Sequence, residues 1–255
     1  MNDDKLFSAI LNDKITLCKE DCVITYTKFL DLNKQNEFNT FPKDKEIESF
    51  LFGGYELAER KIGVFVPKIY EVSPADFLTY WGGEPLCVLR IEKDKFSALS
   101  HRDYLGALMN LGIKREMLGD IIVDNNGAYL IVLIEIAAFI KANLKRIGKG
   151  SCRVTDSDFL SLSQIKTDTK DVFLTVASLR LDNVISSAFS LSRKNAVNEI
   201  VAKRVFVNDI LIEKSDYRVP VGAKIVVRGR GKVILTEQKG VSRKDRPQII
   251  IRKYM

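Results

Sequence analysis

The sequence predicts an α+β protein of three modules: a helical N-terminal region, a split βαβ middle domain and a small basic C-terminal domain. Three observations carry that expectation. The chain has 255 residues, a length suited to two or three domains, each able to bury a core. Its middle reads strand, helix, strand, strand, helix, strand. Its charge is lopsided, with 17 Lys and Arg against 7 Asp and Glu in residues 176–255, but 23 against 26 in residues 1–175. The whole chain has a net charge of +7, so the last third supplies all of the excess. The expected boundaries are 1–75 for the mostly helical N-terminal domain and 76–157 for the middle domain. A linker over 158–174, a C-terminal domain over 175–240 and a basic tail over 241–255 complete the chain.

In the first module Leu6, Phe7, Ile10 and Leu11 fall at helical spacing, and Val23, Ile24, Phe29 and Leu30 suggest a second apolar stripe. A third helix is expected over Lys43–Phe52, stopped by Gly53-Gly54. Ile62–Val66 reads as a strand closed by Pro67.

In the second, Pro85–Ile91 is strand-like, and Ser100 can cap a helix through Leu111 with Asp103 as its capping partner and Gly112 as its stop. Asp120–Val123 and Tyr129–Leu133 flank Asn125-Asn126-Gly127, a hairpin turn. A helix over Glu135–Ile147 and a strand over Ser151–Thr155 complete a ferredoxin-like, RRM-like order. That fold hosts many functions and specifies none. RNA-reading versions present aromatic residues on the inner strands, and only Tyr129 fits that pattern. Trp81, the lone tryptophan, is expected to pack between elements, with base stacking as the alternative.

Several chemistries find little support. The longest apolar run, Ala128–Ile140, is too short to span a bilayer and is broken by Glu135. The start, Met1–Lys5, lacks a secretory pattern, so a cytoplasmic location without membrane contact is expected. Cys18 and Cys22 have the spacing of one helix face, and with Cys87, Cys152 and a single histidine they suggest reduced thiols and no metal site. No Gly-x-Gly-x-x-Gly or Walker loop is present, so no cofactor and no small-molecule substrate are expected. Ser100, His101 and Asp103 are too close in sequence to face one another as a triad.

The C-terminal module carries the functional signal. Leu179–Ile185 begins one helix and Ser192–Val197 another, with Ser192 as N-cap and Arg193 and Lys194 in the first turn. Cations there oppose the helix dipole, which points to an anionic partner. Two helices and small strands bring Arg180, Arg193, Lys194, Lys203 and Arg204 toward one face. Lys214, Arg228, Arg230 and Lys232 lie in neighbouring loops and turns. Such a stripe binds phosphate backbone with salt-sensitive affinity. The reading requires arginines that share a surface and are not tied up internally by acidic neighbours. His101, Arg102, Lys114 and Arg115 form a candidate second contact surface in the middle domain.

These residues carry a resemblance. Leu179-Arg180-Leu181-Asp182, Ser192-Arg193, Val205-Phe206-Val207-Asn208 and Arg228-Gly229 resemble the S-four domain, a small α-L RNA-binding module. Lys203 and Asp209 stand where that family often has glycine. Leu99–Met109, Leu111–Arg115 and Gly119-Asp120-Ile121 extend the likeness to the YlmH-type proteins of Gram-positive bacteria. The resemblance implies a non-enzymatic factor that binds ribosomal RNA and tRNA on the large ribosomal subunit during quality control of stalled nascent chains. A monomer is expected. Arg180 and Arg193 would be its main RNA contacts. Two alternatives stay open: an RNA-modifying enzyme of pseudouridine synthase type, since Arg180-Leu181-Asp182 superficially matches its catalytic motif, and an interaction protein linked to cell division.

Overall fold

The computed structural model describes residues 3–72, 76–78, 84–94, 98–163 and 169–254. Trp81 lies outside them. The chain divides into two compact units, Met1–Ile165 and Lys166–Met255. Among the described residues no helix is long and apolar enough to cross a membrane.

The first unit begins with helix α1 (Asp3–Glu20), which buries Phe7, Leu11 and Cys18 on one stripe. The short strand β1 (Thr25–Tyr26) follows. Helix α2 (Leu32–Thr40) starts where the Asp31 carboxylate accepts from the Asn33 and Lys34 backbone N–H groups, each at 3.0 Å. Strands β2 (Ile47–Phe52) and β3 (Ile62–Pro67) then complete a three-stranded sheet in the order β1-β3-β2. The mostly helical N-terminal domain is therefore corrected. The second apolar stripe falls in the loops on either side of β1, with Leu30 in an isolated bridge to Lys61, and the helix expected over Lys43–Phe52 is a strand from Ile47 onward. The physical reason is Ile47, Phe50 and Phe52, whose bulky side chains suit a pleated surface. Phe50 and Phe52 both meet Phe77 edge-on, at 5.4 and 5.0 Å between ring centres.

Next come β4 (Leu86–Lys93), α3 (His101–Asn110), β5 (Leu118–Asp124), β6 (Gly127–Leu133), α4 (Ile134–Asn143), β7 (Arg146–Ile147) and β8 (Gly150–Ser157). The strands form one antiparallel sheet in the order β5-β6-β4-β8-β7. At the start of α3 the Asp103 carboxylate accepts from the Ser100 backbone N–H and hydroxyl, both at 2.7 Å. The β5–β6 hairpin needs glycine at Gly127, where a Cβ would stand 1.9 Å from the Ile91 carbonyl oxygen. The helix expected to reach Ile147 ends at Asn143. Gly148, at φ +58°, instead turns Arg146-Ile147 back onto Gly150-Ser151 as a small hairpin.

The inner strands β4 and β6 are buried on both faces over most of their length. Leu89, Ile91, Leu130 and Val132 pack against Tyr104 and Leu108 of α3 and Ile140 of α4. Leu86, Val88, Ile131 and Leu133 pack against Phe77 and against Phe29, Phe50 and Val64 from the N-terminal part. Residues 1–75 and 76–157 thus share a core. A further helix, α5 (Phe159–Ser163), adds Leu162 to it.

The second unit is a six-stranded antiparallel sheet with two helices. Its elements are β9 (Thr169–Thr175), α6 (Leu181–Ala188), α7 (Arg193–Val201), β10 (Val205–Val207), β11 (Ile210–Leu211), β12 (Lys224–Val227), β13 (Gly231–Val241) and β14 (Pro247–Tyr254). The strand order is β11-β10-β12-β13-β14-β9. Val184, Ile185, Ala196 and Ile200 of the helices pack on Val205, Ile225, Val233 and Ile251 of the sheet. Two expectations are corrected here. The linker over 158–174 holds α5 and most of β9, and the basic tail over 241–255 contains β14, an interior strand between β13 and β9. Ile249 and Ile251 alternate inward and are fully buried, which anchors β14 despite its charged surroundings.

Candidate nucleic-acid interface

The site grows from two buried carboxylates. Asp182, in the first turn of α6, is 1% exposed, yet both its oxygens are filled by donors. Oδ1 accepts from Arg180 Nε at 3.1 Å and from the Asn183 backbone N–H at 3.0 Å. Oδ2 accepts from Arg193 Nε at 3.1 Å and from Arg180 Nη2 at 3.3 Å. Burial raises the carboxyl pKa, but the Arg180 and Arg193 hydrogen bonds outweigh it and hold Asp182 below the usual carboxylate range.

Glu199 repeats the arrangement on α7. It accepts from Arg204 Nε at 2.5 Å and from Arg230 Nε at 2.9 Å while its own side chain is nearly buried. Arg204 is the foremost cause of its lowered pKa, against the raising effect of burial. Because α7 begins at Arg193 and carries Glu199 six residues on, one short helix links the two arginine pairs, about 9 Å apart along its axis.

The arginines are therefore paired with acidic neighbours, contrary to the condition set by the sequence reading. They are not withdrawn from the surface, however. The Arg180 side chain is 41% exposed and that of Arg193 is 64% exposed. A carboxylate beneath two guanidinium groups leaves one net positive charge per cluster. It also fixes the direction of each planar fork, which suits bidentate phosphate recognition.

The other expected contacts divide. Ser192 is exposed and caps α7, its hydroxyl accepting from the Asn195 backbone N–H at 3.2 Å. Lys194 and Lys214 are exposed, and among the described residues no carboxylate pairs with either. Lys203 is exposed with Glu213 at 2.8 Å. Arg228 is half-buried over the Phe206 ring, at 5.5 Å from its centre. Lys232 is corrected as a surface contact, because it is buried with its ammonium 4.7 Å above the Tyr254 ring. Lys203 and Asp209 occupy left-handed backbone positions, at φ +57° and +66°, so L side chains stand there in a glycine geometry.

Sequence reasoning missed Glu199 as an organising carboxylate and Arg218 as a neighbour of the first cluster. Arg218 is exposed and forms an isolated antiparallel bridge with Arg180. No local motif signals either one: Arg204 is only five residues from Glu199, but Arg230 and the Arg180–Arg218 bridge come from distant segments.

The candidate second surface does not hold together. Arg115 is corrected: its Nη1 donates to the Leu118 and Gly119 carbonyls at 2.8 and 3.1 Å, and burial lowers its pKa to about 10. Burial and the nearby Arg115 charge also lower the pKa of His101, which favours its neutral form. Lys114 is exposed before the turn Arg115–Met117. Only Arg102 lines an open groove.

Asp120 ties this region to the N-terminal part, accepting from Tyr55 Oη at 2.8 Å and from the Glu59 and Arg60 backbone N–H groups at 2.7 and 3.1 Å. Among the described residues no group of three or more metal-ligating side chains occurs. The four cysteines are free thiols.

An excess of cations displayed from two helices over a small antiparallel sheet is the surface of a polyanion-binding protein. Residues 86–161 match the family model described as "Putative RNA-binding domain in YlmH". Over 231 residues the chain is 31% identical to the "Ribosome-associated protein quality control protein P2" of Bacillus subtilis (strain 168), covering 90% of this chain and 87% of that protein. The chain belongs to the YlmH family. It also resembles in fold the solved structure titled "Cell division protein ylmH from Streptococcus pneumoniae", with a TM-score of 0.50 and 20% identity, over 63% of this chain and 94% of that one.

Proposed function

We propose that this protein is a non-catalytic RNA-binding factor of the large ribosomal subunit. On this reading it holds ribosomal RNA and tRNA during quality control of stalled nascent chains. The observation that carries the reading is the pair of Arg–carboxylate–Arg clusters linked by α7, in a region with ten more cations than carboxylates. Guanidinium groups fixed in direction but open to solvent suit phosphate contacts and shape recognition more than base reading. The name of the Bacillus relative supports the ribosomal setting. The absence of chemistry at Asp182 is supported by its four donors, which fill the lone-pair directions that a nucleophilic carboxylate needs.

Co-sedimentation of the full chain with purified large subunits tests the proposal. The wild type pellets with the subunit, and Arg180→Ala/Arg193→Ala shifts to the supernatant at moderate salt; because it leaves the buried Asp182 carboxylate without its two cations it melts lower, so both proteins are compared at a temperature where circular dichroism shows them folded. Equal pelleting of both proteins would overturn it.

A further inference from the structure

In RRM-like domains, RNA stacks on the exposed face of the sheet. Here that face is largely occupied. One face is covered by α3 and α4; on the other, β4 and β6 pack against Phe29, Phe50 and Phe77, while β8 keeps Ser151 and Arg153 exposed. Tyr129, the inner-strand aromatic, is half-buried with the Arg90 guanidinium 4.4 Å from its ring centre, and Arg90 is held in turn by a two-pronged bond to Asp124. The stacking positions of the inner strands are therefore taken, and RNA reaching them would meet packed side chains.

The helical side offers another surface. A groove of about 620 Å³ runs between α3 and the segment from Asn143 to Gly148. Arg102, Lys145 and Arg146 line it, and among the described residues none of the three has an ionic partner. Lys145 and Arg146 donate only to the Lys141 and Lys149 backbone carbonyls, which do not cancel their charge. The one carboxylate in the lining, Asp103, is turned to the Ser100 N–H and hydroxyl.

Gly106 supplies an independent observation. It sits in the middle of α3, where glycine weakens a helix relative to alanine. A Cβ added there would meet nothing within 4 Å, so packing among the described residues does not require the glycine. The space it leaves open is part of the groove. A backbone that must approach a ligand closely accounts for it.

We infer that this groove is a second RNA site, in which Arg102, Lys145 and Arg146 hold a phosphodiester segment against the bare face of α3 at Gly106. The inference rests on the RNA-binding reading above and locates a contact within the middle domain.

The test uses the full chain and a labelled RNA hairpin with a single-stranded tail, titrated by fluorescence anisotropy over a salt series. Lys145→Gln/Arg146→Gln should weaken binding about tenfold and make the salt dependence shallower by about 1.5, as expected for two lost phosphate contacts. Gly106→Gln fills the groove without changing charge. It should weaken binding about fivefold while the melting temperature holds or rises, because glutamine is the better helix former. Affinities of both variants within about twofold of the wild type would overturn the inference, since lost phosphate contacts cost more than that. If Gly106→Gln melts lower, the charge variant alone decides. A wild-type chain that leaves the hairpin unbound would defeat the RNA reading together with the groove. Loss on Arg180→Ala/Arg193→Ala, with the groove variants unchanged, would defeat the groove alone.

Discussion

Arg180 and Arg193, on separate helical segments, converge on one carboxylate: each places its Nε 3.1 Å from an Asp182 oxygen. The side chain beneath them is buried and theirs are not, so the carboxylate acts as a mount for two outward-facing forks. It removes one unit of charge from the cluster and in return fixes its geometry.

Charge and geometry make opposite predictions for Asp182→Asn. If net charge governs binding, the variant gains affinity for RNA. Because position governs it here, affinity should fall about fivefold, the worth of roughly one ordinary hydrogen bond (about 1 kcal/mol). Anisotropy titration of the full chain measures the sign directly.

Acid should act through the same carboxylates. Asp182 and Glu199 are both held below their ordinary values of 3.8 and 4.5. A depressed carboxyl contributes stability that is fully present above its unfolded pKa and is lost as pH falls through the folded one. Stability from these bridges should therefore be constant from pH 7 to pH 5 and decline only below those ordinary values. Circular dichroism during acid titration should show this component in the wild type and not in Asp182→Asn/Glu199→Gln.

Lys203→Gly separates folding from binding. The substitution relieves a left-handed lysine, worth about 1 kcal/mol, and raises the melting temperature. It also deletes an exposed cation beside the Glu199 cluster, so RNA affinity should fall. A variant that melts higher and binds as tightly as the wild type would remove Lys203 from the interface.

In the first unit, Asp120→Ala strips the acceptor from Tyr55, Glu59 and Arg60 together. Loss of about 2–3 kcal/mol in denaturant unfolding is expected, because partly buried donors are left unsatisfied.

Much of this was legible wherever the signal is local. Ser100 with Asp103, the turn before Gly127 and the strand closed by Pro67 all follow from neighbouring residues. The strand over Ile47–Phe52 was misread because its glycine stop suits a helix end as well, and only pairing with Ile62–Pro67 decides between the two. Strand Pro247–Tyr254 looked like a tail because its partners lie in Thr169–Thr175 and Gly231–Val241, and local charge hides the alternating isoleucines. The arginines were visible from motif and charge. Their mounts were half visible, for Asp182 stands beside Arg180, whereas Glu199 meets Arg230 only once the sheet has formed.

Photo-cross-linking of the full chain on large subunits, with the RNA-linked peptides read by mass spectrometry, tests the central claim most directly. Cross-links concentrated at Arg180, at Arg193-Lys194 and around Arg204 and Arg230 are the predicted result. A bound protein whose cross-links all fall before residue 166 would contradict it.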